Sequence, residues 1–144
     1  MDKIKYYLKK IHNQLESSFT HKLRGYGLTC TQFDMLAYLS KEPDHAHTLT
    51  DISAHFGVKH TSAIHVLKIL EKNGFIYKAA SGDGRSKTIH ITGRARQVLA
   101  ELNESRPLLD AILFAGLSKS DLHSLERMLA QVYANLESET FQNF

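Results

Sequence analysis

The chemistry in this sequence gathers on one stretch: Lys59, His60, Thr61, Ser62, His65 and Lys68 are all cations or hydrogen-bond donors, with no Asp or Glu among them. On a helix their spacing sets them mostly opposite the apolar residues Ala63, Val66, Leu67 and Leu70. Such a face can approach phosphate oxygens and donate to base edges. Thr61, Ser62 and His65 suit base contacts, while Lys59 and Lys68 suit phosphates. Further on, Arg85, Ser86 and Lys87 crowd a tip that also holds Gly82, Asp83 and Gly84. An Arg at a hairpin tip suits a narrow minor groove, where the potential is most negative. Asp83 is placed to orient that guanidinium through a paired contact. The plain alternatives are a solvated helix face and a solvated turn. The elements around the two groups decide between these readings.

The stretch from Thr48 to Ile91 supplies those elements. Thr48 caps a short helix with Asp51 three residues on, and Leu49, Ile52 and Phe56 fall at inward spacing. Gly57 suits a turn that needs positive φ. A second helix runs from Lys59 to Asn73 and stops at Gly74. Two strand-like runs follow, Phe75 to Ala79 and Lys87 to Ile91, around the polar tip. Helix, tight turn, helix and hairpin is the order of a winged helix-turn-helix, so the expected fold is mainly α with a small β-hairpin wing.

Three runs carry a family resemblance: Asp51-Ile52-Ser53-Ala54-His55-Phe56-Gly57-Val58, Leu70-Glu71-Lys72-Asn73-Gly74-Phe75-Ile76 and Asp83-Gly84-Arg85-Ser86-Lys87. In order and spacing they resemble the helix-turn-helix, the exit and the wing of the MarR family of transcriptional regulators. The resemblance implies one MarR-like domain over 1–144. Within it, a winged helix-turn-helix lobe spans 31–100, and helical dimerisation regions span 1–28 and 101–144. It implies a homodimer that binds double-stranded DNA at a near-palindromic operator, most often as a repressor. It also implies a small-molecule effector held between the dimer helices and the reading head, and His12, Phe19, Phe33 and Tyr38 are positioned to line such a pocket. Two positions depart from the family's pattern of Ser or Thr followed by Arg: Ile64 and His65 stand there instead. Ile64 either touches a thymine methyl or folds into the core, which would shift the helical phase by a residue. His65 is a pH-dependent substitute for Arg that lacks the bidentate fork.

The totals agree with a soluble globular chain. At 144 residues, 42% hydrophobic and 23% charged, it is long enough for one domain with a real core. The net charge of +3 permits nucleic-acid binding without requiring it. One cysteine excludes an intrachain disulfide and fits a reducing compartment. The start of the chain lacks an apolar signal core, and no apolar run is long enough to span a bilayer, so a cytoplasmic location is expected.

The outer segments read as helices with apolar seams. Ile4, Leu8, Ile11, Leu15, Phe19 and Leu23 form a narrow stripe over 2–24 that calls for a partner surface, part of it on a second subunit. Gly25, Gly27 and Thr29 break that helix. Thr31 is expected to cap the next with Asp34, and Phe33, Leu36, Ala37 and Leu39 to face inward. Pro43 closes that helix, and His45-Ala46-His47 leads into the central stretch. Thr92 is expected to cap a long helix that Pro107 interrupts, and Gly116 ends the apolar block that follows. Ser118 caps a last helix with Asp121, striped by Leu122, Leu125, Leu129, Val132 and Leu136. The tail from Glu137 offers two phenylalanines to a partner.

Nine histidines raise a metal question, but no Cys-x-x-Cys or His-Glu-x-x-His accompanies them. Surface histidines without a ligand are the simpler reading, and no cofactor or metal is expected. Cys30, just before the expected second cap, reads either as an oxidation sensor or as an ordinary buried thiol. No phosphate loop follows a strand and no nucleophile elbow is present, so an enzyme is not expected. The alternatives are a winged helix that docks an acidic protein and a redox- or zinc-sensing regulator of the same fold.

Overall fold

The computed structural model describes residues 2–41, 47–82 and 84–143. Asp83 and His45, singled out above, lie outside these residues. The elements run α1 (Asp2–Arg24), α2 (Cys30–Ser40), α3 (Leu49–Phe56), α4 (His60–Lys72), β1 (Ile76–Ala80), β2 (Lys87–Ile91), α5 (Gly93–Glu104), α6 (Arg106–Leu113), α7 (Lys119–Leu136) and α8 (Glu139–Gln142). The chain forms two compact units, Met1–Leu102 and Asn103–Phe144. None of the described helices is long and apolar enough to cross a membrane.

In the first unit α2, α3 and α5 start where a side chain takes over an orphan backbone donor. At α3 the Thr48 hydroxyl accepts from the Asp51 N–H at 3.2 Å, and the Asp51 carboxylate accepts from the Thr48 N–H at 2.9 Å. The expected capping box is therefore formed. At α2 the expected cap is corrected: Thr29, not Thr31, is the N-cap, with Gln32 as its reciprocal partner. The helix begins two residues earlier because Gln32 reaches back to the cap backbone, as Glu does in the usual box. Met35 consequently joins Leu36 and Leu39 in the core, while Phe33 and Ala37 are only half-buried.

Two glycines set the turns around the central helix. Gly57 ends α3 with φ of 61°, and Gly74 follows α4 with φ of 77°. Both values lie in the left-handed region that costs other residues a clash at Cβ. Antiparallel pairing of β1 and β2 sets Ile76 opposite Ile91 and Ala80 opposite Lys87. His47 adds a bridge to Ile89, whose N–H donates to the His47 carbonyl at 2.8 Å. Alternation along the strands sends Ile76, Ile89 and Ile91 inward. They join Leu23, Leu36, Ile52, Leu67, Leu70, Phe75 and Ala95 in one cluster. The Thr92 hydroxyl accepts from the Ala95 N–H at 3.3 Å, as expected of a cap, and donates to the Gly74 carbonyl at 2.7 Å, tying α5 to the turn after α4.

Along α1 the apolar stripe is divided. Leu23 is fully buried and Phe19 packs on Phe33, but Ile4 is 62% exposed and Tyr7, Leu8 and Ile11 are exposed with it. The compact first unit thus takes in α1, which the sequence assigned to the dimerisation region.

In the second unit Ser118 caps α7, and its hydroxyl lies 2.7 Å from the Asp121 carboxylate. Pro107 sits in the first turn of α6, where its missing N–H costs nothing, so the expected long helix is divided at Ser105. Leu108, Leu109, Ile112, Leu113, Leu129, Val132 and Leu136 all stay exposed.

Candidate nucleic-acid interface

The phase of α4 decides what this surface can do. Ala63, Leu67 and Leu70 are buried, with Leu67 only 2% exposed. Lys59, His60, Thr61, Ser62, His65 and Lys68 are all exposed. Thr61, His65 and Lys68, spaced four and three apart, form a stripe directly opposite the buried one. Ser62 flanks it toward α2, and Ile64 flanks it toward the hairpin. Lys59 is the N-cap of α4 and makes no side-chain cap bond, which leaves its ammonium to solvent.

Ile64 has a third environment, neither of the two expected. It is half-buried and lines a cavity of about 350 Å³ between the start of α3, α4 and the hairpin. Thr50, Leu67, Lys78, Lys87 and Ile89 share that wall. Lys78 was not singled out from sequence. It is exposed on the same strand face as Ile76 and pairs with Glu71 of α4 at 3.6 Å. The signal was available in the alternation of β1, where Ile76 and Lys78 share one side of the pleat.

The tip of the hairpin is closed by serines. The Ser81 N–H donates to the Ser86 carbonyl at 2.9 Å, and the two hydroxyls lie 3.2 Å apart. Ser86 is thus engaged in holding the turn, although exposed. Arg85 and Lys87 are exposed beside it. On the outer face of the hairpin Tyr77 stacks on His90 at 5.2 Å, and the Thr88 hydroxyl is 2.8 Å from the His90 Nε2.

The remaining candidates are dispersed. Phe19 and Phe33 meet edge to face at 5.0 Å. Tyr38 instead stacks on His55 at 4.0 Å, with Phe56 and His47 nearby, so it serves the α2–α3 contact. His12 is on the exposed part of α1, 3.4 Å from Glu16 one turn on. The structure therefore brings together two of these four residues. Cys30 is the first residue of α2, not the residue before its cap, and is half-buried with its Sγ 3.5 Å from the Thr20 hydroxyl. Among the described residues no three of His, Cys, Asp and Glu converge on a point that could hold a metal ion.

A profile of the MarR family matches residues 26–86, from the turn before α2 to Ser86 at the hairpin tip. The chain is 25% identical over 134 residues to the HTH-type transcriptional repressor IacR of Pseudomonas putida, covering 92% of this chain and 79% of that one. Its fold resembles MepR, a transcription regulator of the Staphylococcus aureus multidrug efflux pump MepA, at 20% identity and a TM-score of 0.79 over 92% of this chain and 98% of the other. Streptococcus pneumoniae FabT in complex with DNA is similar at 21% identity and a TM-score of 0.79, covering 94% and 96% of the two chains. The S. aureus MepR–DNA complex matches at 19% identity and a TM-score of 0.68, covering 92% and 96%.

Proposed function

We propose that this chain is a MarR-type, dimeric, sequence-specific DNA-binding transcriptional regulator, acting as a repressor that a small molecule releases. One observation carries the reading: a donor-rich stripe on α4 stands exposed, opposite a fully buried one and beside a basic hairpin tip. In this reading Thr61, Ser62 and His65 contact base edges in the major groove, with His60 at the start of the helix. Lys59 and Lys68 contact phosphates, which add affinity and salt dependence. Arg85 enters the minor groove, with Ser86 and Lys87 against its walls and Asp83 orienting the guanidinium. Lys78 joins the set from β1.

One such module reads few base pairs, and a twofold pair places two reading helices about 34 Å apart, one DNA turn. The exposed apolar residues of α1, α6 and α7 supply the surface for that pairing. A monomeric soluble protein seldom leaves so many large apolar residues uncovered. An effector that favours one separation of the two reading heads over another would shift DNA affinity by that preference. Phe19 and Phe33 are the residues at which to seek it. The reading is of a cytoplasmic regulator and not an enzyme.

Selection of duplexes from a random DNA pool tests the proposal. A recovered, near-palindromic sequence should bind with a steep salt dependence, and two chains should bind per site. Equal affinity for the selected and the random duplex would overturn the reading. So would a stable monomer at working concentration.

A further inference from the structure

His65 occupies the middle of the exposed stripe, between Thr61 and Lys68. Around it the described residues offer little negative charge. The one carboxylate on α4 is Glu71, which is 3.6 Å from Lys78. Among the described residues α2, α3 and β1 pack on α4, and β2 shares a cavity wall with it. From α2 comes Asp34, which lies with Ser62 at a small cavity on that side. From α3 come Asp51, bound to the Thr48 backbone, and His55, stacked on Tyr38. From β1 comes Lys78, and the hairpin tip adds Arg85 and Lys87. The face is therefore mainly cationic, and a duplex would be the first dense source of negative charge to meet it.

An imidazole is the side chain whose charge changes in the physiological range. Neutral, it donates one N–H; protonated, it donates two and carries a charge. The negative field of a duplex, felt in the groove as well as at the phosphates, favours the protonated form. Resting on the function proposed above, we infer that His65 makes DNA binding proton-linked: the complex takes up a proton, tightens in mildly acidic medium and loosens as the pH rises. The sign follows from linkage. The bound state holds more protons than the free one, so affinity rises as pH falls through the imidazole range. His60 is exposed too, but it is the first residue of α4 and lies off the stripe that Thr61, His65 and Lys68 form. The linkage is accordingly assigned to His65.

The experiment measures affinity for the selected duplex by anisotropy with a pH-insensitive dye, at constant ionic strength, from about pH 6 to about pH 8. If the negative field of the duplex favours the imidazolium of a base-contacting His65 about tenfold, linkage gives roughly fourfold tighter binding near pH 6 than near pH 7.5. His65→Gln should remove that increment, and His60→Gln should keep it. His65→Arg should bind at both ends of the range with the slope of His65→Gln. Circular dichroism of each variant checks the fold. Titration calorimetry in buffers of different ionisation enthalpy should show proton uptake in the parent that His65→Gln lacks. An unchanged slope in His65→Gln overturns the inference. So does a flat profile in the parent, which leaves the DNA-binding reading standing. Absence of selective binding at every pH overturns both.

Discussion

Two adjacent residues test the orientation of α4, on which every functional statement rests. Leu67 is 2% exposed and belongs to the core cluster, while Lys68, about 100° further round the helix, is exposed. Leu67→Ala removes buried methyl groups and leaves a void, a change that costs about 2–5 kcal/mol in well-packed cores. Here one side of Leu67 already borders the cavity beneath the hairpin, so part of the void exists beforehand. That places the expected loss near the middle, about 3 kcal/mol. For a chain of this size the melting temperature should fall by roughly 6–12 °C. DNA affinity measured well below the transition should stay within a few-fold of the parent, because the donor stripe is untouched. Lys68→Ala should do the reverse. Its stability should stay within about 0.5 kcal/mol of the parent. Its affinity should fall alike on every sequence, and the slope of log K against log salt should flatten by about 0.9 for each phosphate that the side chain had neutralised. Urea denaturation and salt-series titrations measure the two quantities separately. Both variants losing stability equally, or Leu67→Ala losing affinity without losing stability, would refute the assigned phase.

Arg85→Ala should weaken specific binding by tenfold or more without lowering the denaturation midpoint, because the residue stands exposed at the hairpin tip; unchanged affinity at moderate salt would remove the hairpin from the interface. Gly57→Ala should destabilise by about 1 kcal/mol, purely through backbone conformation, since an added Cβ would meet nothing within 4 Å; a stabilised variant would contradict the observed φ of 61°. The Ser118 hydroxyl and backbone hold the Asp121 carboxyl below its ordinary 3.8. A depressed carboxylate stabilises its helix start above the ordinary value and loses that contribution as pH falls through the lowered one. Carboxyl carbon shifts in an NMR titration should show this for Asp121, with Ser118→Ala moving the midpoint upward. A midpoint at or above 3.8 would exclude the cap bonds.

Much of this protein could be read from local signals. Hydroxyl-and-carboxylate pairs three residues apart marked the starts of α3 and α7, because a capping bond is made within four residues of chain. Gly57 and Gly74 marked turns for the same short-range reason. The facing of α4 followed from a period of about 3.6 residues. Other features had a weak local signature or none. Thr29, not Thr31, caps α2, and the Gln32 side chain completes the box by accepting from the Thr29 N–H; an amide in place of a carboxylate is a weaker signal in the sequence. Whether Ile64 met the core or the solvent depended on where the hairpin lay, and the hairpin left it at the wall of a cavity. Tyr38 was drawn to His55, away from the Phe19–Phe33 pair, by the contact between α2 and α3.

By itself the sequence determined the order of the helices and the hairpin, and which side of α4 would face out. Those depend on hydrogen bonds and periodicities contained within one element. Only the tertiary structure decided which side chains from different elements would meet: Lys78 with Glu71, Ile64 with the hairpin, Leu23 with the core while Ile4 stays outside it. Such meetings are set by the packing of elements distant in the chain, and no short stretch of residues encodes them.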